Sequence, residues 1–200
     1  VQEQAAAIAA FQTAIYHYQQ FDRKSAQADA LTRLGNFLDA QSRFTEAIDF
    51  HEQSLTIYRE IGNHQGEAYS LNALGNAYDA LGQYPQAIDF FQQSLAITRE
   101  IGDRQGEASA LGNLGNAYHF LRQYSQAINL QQQSLTIERE IGNRQGEAAS
   151  LGNLGNAYYS LGQYPQALDF YEQSLAIQRE INDYQGEANS LNNLGNVYYS

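Results

Sequence analysis

The sequence predicts an all-α solenoid built from antiparallel helix pairs, and two observations carry that expectation. First, Leu34-Gly35-Asn36 recurs at Leu74-Gly75-Asn76, Leu114-Gly115-Asn116, Leu154-Gly155-Asn156 and Leu194-Gly195-Asn196, a fixed step of 40 residues. Ala47, Ala87, Ala127 and Ala167 keep the same step, as does the Gln-Gly-Glu-Ala run that starts at Gln65, Gln105, Gln145 and Gln185. A period of about 20–50 residues marks a solenoid or a propeller, because each unit can bury its apolar face only against its neighbours. Second, apolar residues fall at three- and four-residue spacing, as in Leu111, Leu114 and Tyr118 or in Phe91 and Leu95. That spacing puts them on one face of a helix.

The elements follow in order from the 40-residue step. Ala7 aligns with Ala47, so residues 1–22 read as the second helix (helix B) of a partial repeat. Four full repeats are expected at 23–62, 63–102, 103–142 and 143–182, and residues 183–200 read as the first helix (helix A) of another partial repeat, making one array. In the third repeat Asp103 follows Gly102 and is the expected N-cap of helix A, with Glu107 in the early turns where a carboxylate suits the helix dipole. A Leu-Gly-Gln-Tyr or Leu-Arg-Gln-Tyr turn comes next. Pro85 and Pro165 then stand where helix B begins, a position at which the missing N–H costs nothing. Each helix should run for about 18 residues, or roughly 27 Å. Ile8, Phe11 and Ile15 at the start, and Leu194, Val197 and Tyr198 at the end, make complementary faces. Head-to-tail self-association through residues 1–22 and 186–200 is therefore an expectation.

Composition bounds the function. The chain has 200 residues, 43% of them hydrophobic, enough for a sizeable core. A formal net charge of −11 argues against nucleic acid and anionic membrane surfaces, which need a basic stripe. There is no cysteine for a disulfide or thiolate metal site, and no apolar run approaches the ~18 residues of a membrane span. The N-terminal segment lacks a basic signal-peptide region, so a cytoplasmic location is expected. The absence of Met predicts a chain cut from a longer product.

Leu154, Gly155, Tyr158, Gly162, Tyr164, Ala167 and Tyr171 resemble the signature of the tetratricopeptide repeat, with Leu151 where that family often has Trp and Ser174 where it usually has Ala. The usual repeat has about 34 residues and closes with Pro. Here it is longer, with Arg179 near that point. The long form is similar to the repeats of Pins-type spindle-orientation scaffolds and of bacterial arrays beside caspase-like or nucleotide-switch domains. The resemblance implies a right-handed superhelix whose helices A line a concave groove, and a non-catalytic module that binds a protein or peptide. It also leaves open a sensor or regulatory arm of a larger multidomain protein, and structural self-assembly through the array ends.

Within that frame the recurrent Gly35, Gly75, Gly115, Gly155 and Gly195 are expected where a side chain would hold helix A off its neighbour. The Asn at the next position lies on a different face of helix A. Asn36, Asn76, Asn116, Asn156 and Asn196 form a ladder, thickened by Asn72, Asn113, Asn153 and Asn193. A side-chain amide offers an acceptor and two donors, which suits both polar groups of a peptide backbone. The alternative is that these amides bond the adjacent helix or solvent. Asp39 and Asp79, with Asp29 and partly countered by Arg33, should draw a partner's Lys or Arg to the early repeats. His119, Phe120 and Tyr159 flank the small residues Ser109, Gly112, Ala149 and Gly152, where a shallow apolar pocket is expected.

No catalytic, metal or cofactor constellation emerges. His17, His51, His64 and His119 occupy different repeat positions, and Ser94 and Ser134 lack a companion His or Lys. Arg59-Glu60, Arg99-Glu100, Arg139-Glu140 and Arg179-Glu180 are expected to be a solvated end of helix B.

Overall fold

The computed structural model describes residues 2–199, and the described residues fall into two compact units divided after Gly102. Unit 1 holds α1 (Gln2–Gln20), α2 (Lys24–Asp39), α3 (Phe44–Glu60), α4 (His64–Ala80) and α5 (Tyr84–Ile101). Unit 2 holds α6 (Arg104–Phe120), α7 (Tyr124–Glu140), α8 (Arg144–Ser160), α9 (Tyr164–Glu180) and α10 (Tyr184–Tyr199). Among the described residues there is no strand. Within each unit every helix packs on the next, so the fold class is the one expected. Val1 and Ser200, the outer limits of the end segments named above, lie outside the described residues.

Local chemistry sets the helix ends. Asn63, Asp103 and Asn143 each accept from the backbone N–H three residues on, at 3.0, 2.9 and 3.2 Å, capping α4, α6 and α8. Pro85 and Pro165 lie in the first turns of α5 and α9, whose preceding Gln residues give no side-chain cap. After α3 the chain turns at Gly62, which holds φ 66° while Asn63 N–H closes onto the Tyr58 carbonyl at 2.9 Å. This left-handed residue past a helix end favours glycine. At the turn after α6, where other repeats place Gly82 and Gly162 with positive φ, Arg122 takes φ 60°.

The core of unit 1 gathers Leu71, Leu74 and Ala77 of α4 with Ile48 and Leu55 of α3, and a second cluster of Leu34, Leu38 and Ala47 seats Ile8, Phe11 and Ile15 of α1. In unit 2, Leu151 and Leu154 of α8 pack with Leu135 of α7 and Ile177 of α9, and Tyr171 and Leu175 of α9 with Leu194 and Val197 of α10. Each fully buried leucine contributes roughly 1.5–3 kcal/mol. Buried serines add polar clamps between paired helices: Ser94, Ser134 and Ser174 donate to the carbonyls of Ala68, Ala108 and Ala148 at 2.9, 2.9 and 2.8 Å.

The helix-A glycines mark close approaches. A β-carbon on Gly35 would stand 2.5 Å from the His51 ring, on Gly75 2.4 Å from Phe91, on Gly115 2.7 Å from Gln131, and on Gly155 2.5 Å from Tyr171. What approaches is the helix-B side chain of the same repeat. Gly195, expected at the same close approach, is not at one: a β-carbon there would meet nothing, since no helix-B side chain is seated over it.

The helix-B Arg-Glu pairs are not merely a solvated end. Arg59, Arg139 and Arg179 donate through Nε to Glu67, Glu147 and Glu187 of the following helix A, at 2.8, 2.8 and 2.7 Å. Arg144 adds bonds to Glu147 and to Glu180. The glutamate of each Gln-Gly-Glu-Ala run is the reason: it lies one turn into helix A, within reach of the guanidinium that ends the preceding helix B. Burial pushes the Glu147 carboxyl up, but the hydrogen bonds from Arg139 and Arg144 outweigh it and hold the pKa below the usual value.

Candidate functional site

The nine ladder asparagines lie on α2, α4, α6, α8 and α10, and none is buried. Asn36, Asn76 and Asn196 are exposed, whereas Asn72, Asn113, Asn116, Asn153, Asn156 and Asn193 are half-buried. Several are held from beneath. Asn116 Oδ1 accepts from Gln131 Nε2 at 2.9 Å, and Asn156 Oδ1 accepts from the Tyr171 hydroxyl at 2.8 Å. Gln131 and Tyr171 are the side chains seated over Gly115 and Gly155. The glycine that admits a helix-B side chain thus also brings its polar tip to the next residue, the ladder asparagine. Because the seated residue differs in each repeat, the 40-residue pattern alone does not show this link.

In unit 2 these residues line a cleft between α6, α7 and α8 of about 330 Å³, walled by Gly115, Asn116, His119, Phe120, Ala127, Gln131, Asn153 and Asn156. Phe120 stands at its rim, 56% exposed. His119 is half-buried, with Nε2 3.0 Å from Ser160 Oγ. Burial lowers the pKa of its imidazole, partly offset by a hydrogen bond with the Asn156 backbone, which raises it. His119 and Phe120, expected to flank a pocket, do line this cleft, but Ser109, Gly112, Ala149 and Gly152 do not: the other walls come from α6, the ladder asparagines and α7. Tyr159 packs against Tyr164, ring centroids 5.6 Å apart.

Unit 1 has a wider cleft of about 520 Å³, lined among others by Asp29, Arg33, Asn36, Tyr58 and Tyr69. Its acids have internal partners. The Tyr58 hydroxyl donates to Asp29 at 2.6 Å, and burial with this carboxylate pushes the tyrosine pKa up to about 12. Asp39 Oδ2 lies 2.9 Å from Nε2 of the fully buried His51. Asp79 is half-buried, and burial raises the pKa of its carboxyl. Asn36 Nδ2 donates to the Tyr69 hydroxyl at 2.8 Å. Of these three aspartates, Asp29 and Asp39 are thus paired with side chains of unit 1 and Asp79 is half-buried.

Among the described residues no group of three or more His, Asp or Glu side chains comes together as a metal site, and no helix is long and apolar enough to cross a membrane. The family model described as tetratricopeptide repeat matches residues 26–100, 82–140, 106–180 and 146–200. Solved structures share the fold. BtubC (BKLC) from P. vanneervenii superposes with a TM-score of 0.85 at 21% identity, covering 98% of this chain and 83% of that one. A Signal Transduction ATPase with Numerous Domains from Pyrococcus horikoshii, which carries a tetratricopeptide repeat sensor, gives 0.78 at 18% identity over 88% of this chain and 28% of that one. Aspartyl phosphate phosphatase F from Bacillus subtilis gives 0.78 at 17% identity over 82% and 43%. No curated protein matches the sequence.

Proposed function

We propose, from the premise that this chain belongs to the tetratricopeptide repeat family, that it is a non-catalytic docking module which takes an extended peptide segment of a partner protein along the helix-A faces. The observation that carries this reading is the state of the ladder: an asparagine recurs at the same position of every helix A, none of the ladder asparagines is buried, and in unit 2 Asn116, Asn153 and Asn156 open onto a cleft of about 330 Å³. Spaced amides match the repeating polar groups of an extended backbone. Phe120 offers an apolar contact at the edge of the same cleft. Selection from a random peptide library, with Asn116→Ala plus Asn156→Ala as counter-selection, tests it. Peptides retained only by the unaltered chain support the reading, whereas equal capture by both rejects it. The same surface would serve as the sensor or regulatory arm of a larger protein, without a cofactor and in the cytoplasm.

A second reading, self-association, has its own observation. Leu191 of α10 is 46% exposed, whereas its equivalents Leu31, Leu71, Leu111 and Leu151 are at most 1% exposed, and the space over Gly195 is open. Phe11 of α1 holds the repeat position that fills such a space elsewhere. In this reading α1 of one copy covers α10 of another, a heterologous contact that extends into a row unless it closes.

A further inference from the structure

The cleft of unit 2 has a fixed hydrogen-bond polarity, and a residue outside the ladder sets it. Gln131 of α7 is 1% exposed, and its Nε2 donates both to the Gly112 backbone carbonyl and to Asn116 Oδ1, each at 2.9 Å. A backbone carbonyl can only accept, so the Gln131 amide has one orientation. That orientation fixes the next amide: Asn116 must turn its oxygen to Gln131 and its NH₂ away from it. Asn156, across the cleft, accepts from the Tyr171 hydroxyl, a group that can also accept, so this contact does not fix the Asn156 amide as Gln131 fixes that of Asn116. The Asn116 NH₂ is thus left for a ligand while its oxygen is engaged with the protein. No carboxylate, lysine or arginine lines this cleft.

Resting on the docking reading, we propose that Gln131 is a positioning residue that makes the unit 2 cleft a receptor for an sp² oxygen, a peptide carbonyl or a carboxylate, and turns away ligands that offer only N–H donors. Chain-internal precedents supply the test. Phe91 and Tyr171 occupy the Gln131 position in other repeats, each buried over its glycine. Gln131→Phe therefore keeps the packing but removes the donor that orients Asn116, whereas Gln131→Tyr keeps a hydroxyl donor.

The full chain is titrated with N,N-dimethylacetamide, acetate and pyrrole, which present a neutral acceptor, a charged acceptor and a neutral donor. Dissociation constants are read by NMR from the side-chain signals of Asn153 and Asn156, which do not touch the substituted residue in sequence. The unaltered chain should favour the better acceptor over pyrrole by about fivefold, the equivalent of one net hydrogen bond. Gln131→Phe should bring that ratio to about one, and Gln131→Tyr should restore it. Tighter binding of dimethylacetamide than of acetate assigns a carbonyl, and the reverse a carboxylate. Pyrrole binding as tightly as either acceptor, no saturable response to any acceptor, or an unchanged ratio in Gln131→Phe overturns the proposal. A selected peptide that loses affinity with Asn116→Ala but is indifferent to Gln131→Phe would keep the docking reading and overturn this one alone.

Discussion

Tyr171 lies so close over Gly155 that a β-carbon on the glycine would stand 2.5 Å from its ring, while the hydroxyl of the same ring donates to Asn156 at 2.8 Å. One side chain thereby ties the packing of a helix pair to the ladder residue beside the glycine.

The packing half of this relationship gives a contrast within one chain. Gly155→Ala should destabilise unit 2 by about 1–3 kcal/mol, because the new methyl meets a buried ring that cannot retreat. Gly195→Ala, into open space, should be neutral or raise stability by up to about 1 kcal/mol through helix propensity. Chemical denaturation of the two variants checks this, and equal losses would mean that the close approach is not what the glycine serves.

Two carboxyls should give opposite pH dependences. Burial raises the Glu138 pKa, against a hydrogen bond from Asn143, and Glu138 Oε2 is buried without a partner. The folded chain therefore holds this proton more tightly than the unfolded one. Its contribution is most favourable below the unfolded value of about 4.3 and declines as pH rises through the higher folded value. Glu138→Gln, which copies Gln178 of the next repeat, should raise the melting midpoint at pH 7 and lose that advantage in acid. Glu147, held below its usual pKa by Arg139 and Arg144, contributes stability above about pH 4.3 that is lost as pH falls through its lower folded value. Glu147→Gln should therefore cost stability at pH 7 and little in acid, by less than about 1 kcal/mol because both arginines are half-exposed. Melting curves across pH 3–8 (about the carboxylate range and above) read both signs.

Self-association should depend on α10. Sedimentation over a concentration series should show growth of larger species for the unaltered chain and a monomer for Leu191→Glu, which places a charge on the exposed leucine. A monomer at every concentration for the unaltered chain would remove the second reading.

Much of the fold was legible because duplication repeats what packing requires. Leu111 and Leu114 are buried as their spacing indicates, and Asp103 caps α6 as its place after Gly102 suggested. The ladder was visible as a stripe, and its glycines as sites of close approach. What each glycine accommodates was not, since His51, Phe91, Gln131 and Tyr171 share a position but no chemistry. Nor could spacing show that Gln131 reaches Asn116, fifteen residues away across a helix pair. The arginine bridges escaped because Arg139 and Glu147 stand on different helices, and an Arg-Glu dipeptide at a helix end reads as solvated until the next helix is placed beside it.

The docking role is tested most directly by the affinity of a library-selected peptide for the chain carrying Asn116→Ala and Asn156→Ala, measured by fluorescence anisotropy beside a melting curve. Loss of two ladder amides should weaken binding by at least about tenfold, the worth of two net hydrogen bonds. Folding stability should change by no more than about 3 kcal/mol, because neither asparagine is buried and the main cost is the Tyr171 hydroxyl's lost acceptor. Unchanged affinity, or weakened binding that only follows a collapse in stability, would contradict a role for the ladder in binding.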